Sequence, residues 1–144
     1  MLETLRNATP KDLASILELL EASKLPTAGV KDHFQNFLLE FEHDTLLACA
    51  GLEIYGDAGL LRSVVVNSRR RSKGIGSRLV NAILENAKKH QLSSISLLTQ
   101  TAQDYFPRFG FKRVTRENLP ETLNASEELR GACPDTAVVM MLEL

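Results

Sequence analysis

A basic, glycine-containing stretch, Asn67-Ser68-Arg69-Arg70-Arg71-Ser72-Lys73-Gly74-Ile75-Gly76-Ser77, follows the apolar run Val64-Val65-Val66 and precedes a segment of helical periodicity. A strand that turns through such a loop into a helix builds an anion site, because the first N–H groups of a helix lack internal partners and its dipole favours negative charge. Gly74 and Gly76 would let a phosphate approach the backbone. Arg69, Arg70, Arg71 and Lys73 would add charge-assisted contacts to its oxygens. The ligand implied is a pyrophosphate. The nucleotide-triphosphate loop does not fit, since it needs four residues between its first glycine and a Gly-Lys pair. The dinucleotide fingerprint fails too, because Ser77, Arg78 and Leu79 follow Gly76 where a third glycine is required. The competing reading is a plain turn with a solvated basic face.

Two charged residues interrupt apolar strands. Arg62 lies within Leu60 to Val66, and Glu53 stands among Ala48, Cys49, Ala50, Leu52 and Ile54. A guanidinium so placed needs an anion. That anion is either a carboxylate, phosphinate or arsonate-like group on a substrate, or an acid of the chain itself. For Glu53, partial burial would raise the pKa and make it a usable base. Its alternative is an exposed carboxylate on the wet face of the strand.

The elements that must position these groups follow from hydrophobic spacing. Leu2 to Asn7 reads as a strand, and Thr9 with Pro10 and Asp12 reads as a helix start. Leu13, Ile16, Leu17 and Leu20 then form one buried stripe that ends near Ser23. Loop residues 24–30 lead to a short helix from Val30 to Phe37. Phe37 to Glu42, Thr45 to Tyr55 and Gly59 to Val66 are three consecutive antiparallel strands joined by hairpins. Ile75, Leu79, Ile83 and Ala87 place a long helix between about Gly74 and His90. Beyond it come a strand at Ser94 to Leu98, a short helix at Ala102 to Phe106, a strand at Phe111 to Val114, a helix at Pro120 to Leu129 and a closing strand at Ala137 to Leu142. The fold class is α/β, a mixed sheet with helices on both faces.

The bulk properties bound the rest. The chain of 144 residues suits a single domain over 1–144. A net charge of −1 gives none of the basic excess that nucleic acid binding needs. No apolar run approaches a membrane span and no secretory signal is visible, so a cytoplasmic location is expected. Cys49 and Cys133 have neither metal-ligand nor disulfide spacing, and no metal site is expected.

The segment Arg71-Ser72-Lys73-Gly74-Ile75-Gly76 resembles the Arg/Gln-x-x-Gly-x-Gly/Ala signature of the GNAT acyltransferase superfamily. Ala102-Gln103-Asp104-Tyr105-Phe106-Pro107-Arg108-Phe109-Gly110-Phe111 is similar to a second family segment, an alanine followed by Tyr-x-x-x-Gly-Phe. The resemblance covers nearly the whole chain and implies a largely antiparallel sheet. It also implies acetyl-CoA as co-substrate, bound by Val64, Val66, Lys73, Gly74, Gly76, Ser77 and Phe106 with Arg71 supporting the loop. Phe106 occupies the position of the tyrosine that often protonates the departing thiolate, which leaves its neighbour Tyr105 as the candidate acid or as a core residue. Thr99 falls where many relatives carry an asparagine that bonds the cofactor backbone.

Acetyl transfer needs a neutral amine, and Glu53 is the candidate base. A backbone N–H between Val64 and Val66 is the candidate oxyanion donor. The words Leu25-Pro26-Thr27-Ala28-Gly29-Val30, Leu60-Leu61-Arg62-Ser63-Val64 and Cys133-Pro134 look like the arsenic-resistance N-acetyltransferase group. That resemblance implies a small-molecule amine acceptor, a glutamate-like amino acid or its phosphinate or arsenical analogue, with Arg62, Ser63 and Thr27 on the substrate side and a role in detoxification. The alternatives are a non-catalytic acyl-CoA sensor and a protein or peptide N-acetyltransferase. Val138 to Met141 is apolar enough for homodimer pairing or for ordinary core.

Overall fold

The computed structural model describes residues 4–67, 74–134 and 136–144. Strand β1 (Thr4–Asn7) leads through a 3-10 turn at Pro10–Asp12 into helix α1 (Leu13–Ala22). A single turn of helix, α2 (Val30–His33), precedes β2 (Phe37–Glu42), β3 (Thr45–Tyr55) and β4 (Ala58–Val66). Helix α3 (Ile75–Lys89) is followed by β5 (Ser94–Thr99), β6 (Lys112–Val114) and β7 (Val138–Glu143). The strands form one sheet in the order β1-β2-β3-β4-β5-β7-β6. Only β4 and β5 run parallel, as expected where a helix supplies the crossover between them.

The helices cover opposite faces because successive strand residues alternate sides. Leu79, Val80, Ile83 and Ala87 of α3 pack in one cluster with Ala48, Ala50, Leu52, Leu61, Ile95 and Leu97. Ile16 and Leu20 of α1 pack in the other with Phe37, Leu39, Cys49 and Val65. Each fully buried leucine or isoleucine contributes about 1.5–3 kcal/mol by leaving water. Among the described residues no helix is long and apolar enough to cross a membrane.

Two expected helices take other forms. Ala102 to Phe106 is a turn that leads to a 3-10 segment at Phe106–Phe109. Pro107 removes a backbone donor there, and Gly110 ends the segment at φ 102°. The helix expected from Pro120 to Leu129 is split into a 3-10 turn at Glu121–Ala125 and a wider turn at Glu128–Ala132, with Ser126 extended between them. Burial of Leu123 beside Ala58 and Leu60 prevails over local propensity. Strand β7 has β5 on one edge and β6 on the other, so Val139 to Met141 pair on both sides within the sheet.

Candidate active site

The site begins with a defect in β4. Cys49 lies opposite Val65 and Gly51 opposite Arg62, so Ser63 and Val64 together face the one residue Ala50. This is a β-bulge, and Ser63 adopts φ 58°, a left-handed conformation uncommon for a residue with a side chain. The Cys49 thiol donates to the Ser63 carbonyl at 3.2 Å and helps hold the bulge. On its other edge β4 pairs with β5 only from Ala58 to Leu60. Past that point the two strands separate, and a cleft opens through the sheet.

The cleft has two connected parts. One, of about 620 Å³, is lined by Val64, Val65, Val66, Gly74, Gly76, Ser77, Thr101, Tyr105, Phe106 and Arg108, among others. The second, of about 330 Å³, is lined by Lys24, Leu25, Pro26, Arg62, Ser63, Thr99, Glu128 and Cys133, among others. Ser23, Leu25, Val64, Thr101, Ala102 and Phe106 belong to both. A ligand along the first part can therefore present one end to the second.

The first part contains the described residues that the sequence reading assigns to a pyrophosphate arm, Gly74, Gly76 and Ser77. Gly74 caps α3 at φ 77°, and the space where its side chain would stand is open. A methyl group on Gly76 would lie 3.3 Å from the Tyr105 hydroxyl and 3.5 Å from Val66 Cγ2, so the glycine keeps the cradle clear. The Tyr105 hydroxyl and Ser77 Oγ are 3.1 Å apart at this end. Tyr105 thus faces the cleft at the start of α3, and the guanidinium of Arg108 stacks on its ring at 4.3 Å. Phe106 is the ring at the junction. Arg71 and Lys73 lie outside the described residues. The Thr99 hydroxyl accepts from the Ala102 N–H at 2.9 Å and closes the turn after β5.

The second part corrects three expectations. Glu53 is completely buried and is not on the cavity wall. Its oxygens accept from Arg62 Nη1 at 2.7 Å and from the Tyr55 hydroxyl at 2.6 Å. Burial pushes the Glu53 carboxyl up, but hydrogen bonds from Tyr55, Arg62 and Ser126 outweigh it and hold the group below its ordinary value. A raised pKa was expected, and the opposite is found. Arg62 lines the cavity, yet its donors go to the chain: Glu53 and the Ala28 carbonyl (2.7 Å) on Nη1, the Pro26 carbonyl (3.1 Å) on Nη2, and Ser63 Oγ (3.0 Å) on Nε. Of the two alternatives for Arg62, the structural salt bridge is the one present. Thr27 is on neither cavity wall. It closes a turn in which the Val30 N–H donates to its carbonyl at 3.2 Å.

Sequence reasoning missed Glu128. Its carboxylate is buried on the cavity wall, 3.5 Å from Arg62 Nε. Burial raises its pKa, Arg62 pulls it down and Glu53 pushes it up again, with the net result above the ordinary range. Cys133 donates to it, and burial followed by the nearby carboxylate pushes that thiol up to about 12. Nothing in Ser126-Glu127-Glu128-Leu129-Arg130 separates Glu128 from an ordinary solvated acid.

A cleft opened by a bulged strand has a glycine-lined helix start at one end and, at the other, a small, mostly apolar chamber with Arg62 and Glu128 on its wall, so it has room for a donor and an acceptor end to end. Residues 4–111 match the acetyltransferase (GNAT) family. The chain belongs to that family, whose enzymes are N-acetyltransferases that use acetyl-CoA. It is 30% identical over 145 residues to the uncharacterized protein YwlB of Bacillus subtilis, covering 98% of this chain and 97% of that protein. It is 31% identical over 131 residues to the amino-acid acetyltransferase of Escherichia coli K12, covering 83% of this chain but only 29% of that protein. Its fold is that of part of the N-acetylglutamate synthase of Neisseria gonorrhoeae, solved with coenzyme A and N-acetyl-glutamate. The TM-score is 0.84 at 22% identity, over 100% of this chain and 35% of that one.

Proposed function

We propose that the acetyl acceptor is the amine of a small amino acid. The observation that carries this reading is the second chamber, about 330 Å³ in volume and joined to the cofactor cleft through Val64, Thr101, Ala102 and Phe106. Such a volume suits a small molecule. Similarity to amino-acid acetyltransferases supports the class, although the chain spans less than a third of their length. The finer reading is a glutamate-like acid or its phosphinate or arsenical analogue, and it rests on the short sequence words around Pro26, Arg62 and Cys133. Its anionic end requires a cation other than Arg62, which donates to Glu53, Ser63 and the carbonyls of Ala28 and Pro26. Lys24 is on the chamber wall and has no ion pair among the described residues, so it is the side chain that fits.

In this reading the ammonium loses one proton, and the neutral amine attacks the thioester carbonyl. The N–C bond forms, the C–S bond breaks with its electron pair passing to sulfur, and the second amine proton ends on the CoA thiol. A backbone N–H of the bulged segment at Val64 is the candidate donor to the oxyanion. Holding amine and thioester together at the junction supplies much of the acceleration. The direct test is release of free CoA thiol from acetyl-CoA against glutamate, aspartate, phosphinothricin, arsenical analogues, polyamines and a lysine peptide. Turnover with amino acids is expected. Turnover with the peptide or polyamines alone would replace this reading, and acetyl-CoA binding without thiol release from any amine would point to a sensor.

A further inference from the structure

The chamber contains a charge imbalance. Arg62 is fully buried between two carboxylates, Glu53 and Glu128, so a single guanidinium faces two acids. Their shares are unequal. Glu53 takes the short 2.7 Å bond and a second one from Tyr55, whereas Glu128 is held at 3.5 Å from an Nε whose hydrogen goes to Ser63 Oγ at 3.0 Å. Glu128 is also the acid on the cavity wall. A buried carboxylate without its own cation is costly, and it either takes up a proton or recruits a cationic ligand.

On this basis, which presupposes the small-amine reading above, we infer that Glu128 receives the acceptor's ammonium group and takes the proton that frees it for attack. The ammonium completes the neutralisation that Arg62 only half provides. The other charged and titratable groups around the carboxylate are consistent with this: Arg62 on β4, Glu53 on β3 and the Cys133 thiol on the following loop, with Tyr55 and His33 behind Glu53. The elevated pKa of Glu128 brings it closer to that of an amine and so eases the transfer. Lys24 places a cation on the same wall, so a molecule with both ammonium and carboxylate groups finds a partner for each. An α-amino acid meets that description, and a simple polyamine does not. After attack, the proton held by Glu128 returns to solvent and the second amine proton leaves with the thiol.

The test compares L-glutamate with glutarate, which lacks only the amine, by calorimetry in the presence of CoA. Wild-type protein is expected to bind glutamate the more tightly. Glu128→Gln should weaken glutamate at least about tenfold while leaving glutarate unchanged, since a charged hydrogen bond has been lost. Glu128→Gln should melt no lower than wild type near neutral pH, because it removes an imperfectly compensated buried charge. Glu128→Asp should retain amine binding in part but lose kcat, because its carboxylate is withdrawn by one methylene. Equal glutamate affinity in Glu128→Gln, or no amine-dependent binding in the wild type, overturns the inference. If amino acids release CoA thiol with kcat/KM unchanged by Glu128→Gln at every pH, Glu128 has no such role and the proposed function stands. If glutamate binds through Glu128 but no amine is acetylated, the amine site stands and the proposed function falls.

Discussion

The functional content of this chain turns on how a few polar side chains share their partners. Tyr105 and Phe106 are adjacent, yet the phenyl ring lies at the junction of the two chambers while the hydroxyl of Tyr105 meets Ser77 at the start of α3. That position suits contact with the phosphate-bearing arm better than proton delivery to sulfur. Tyr105→Phe is therefore expected to raise KM for acetyl-CoA several-fold with little change in kcat, because one neutral hydrogen bond is worth about 0.5–1.5 kcal/mol. Steady-state kinetics check this. A fall in kcat of a hundredfold or more would restore Tyr105 as the general acid. Glu53 and Glu128 make the same point. Both are buried acids beside Arg62, and only their hydrogen bonds separate a structural anchor, held ionised, from a group poised to exchange a proton.

Among the elements, β3 and β4 matter most, since the bulge at Ser63 and Val64 decides where the sheet splits. The neighbouring stretch of β3 is held tightly in register. A methyl group on Gly51 would collide with Phe37, lying 2.7 Å from Cδ1 and nearer still to Cε1 and Cζ. Gly51→Ala forces the Phe37 ring to move within a close-packed cluster and should cost about 1–3 kcal/mol in urea unfolding. Because Gly51 pairs with Arg62 across the ladder, the variant should also lose acetyltransferase activity. Unchanged stability would mean that the ring has room to move. Much of this layer was legible beforehand: the three hairpin strands and α3 follow from period-2 and period-3.6 patterns and end within a residue or two of their expected limits. The segment from Ala102 to Leu129 was not, because proline, glycine and tertiary burial override weak helical spacing there.

For the molecule as a whole, the two carboxyls held below their ordinary values among the described residues, Asp12 by Arg6 and Glu53 by Tyr55 and Arg62, set the acid limit of stability. A lowered folded-state pKa contributes stability that is complete above the unfolded value, near 4, and disappears as pH falls through the folded value. Glu128 has the opposite sign, and its share is lost as pH rises. Melting temperature should therefore hold near neutrality and fall steeply below about pH 4, by about 3 °C for each kcal/mol lost. Arg6 is exposed and its pair is screened by salt, so the acid limb should be dominated by Glu53 and flattened in Glu53→Gln. An acid limb of the same depth in Glu53→Gln would exclude that assignment. The sequence by itself determined the sheet strands, the two helical faces and the phosphate-side glycines, because these follow from periodicity and backbone freedom along a short span of chain. It also marked Arg62 as a residue in need of an anion. Which acid answers Arg62, that Glu53 is sealed away while Glu128 lines the chamber, and where the bulge opens the sheet were decided only by the tertiary structure. Each of those depends on contacts between residues tens of positions apart, and no local pattern encodes how two carboxylates divide one guanidinium.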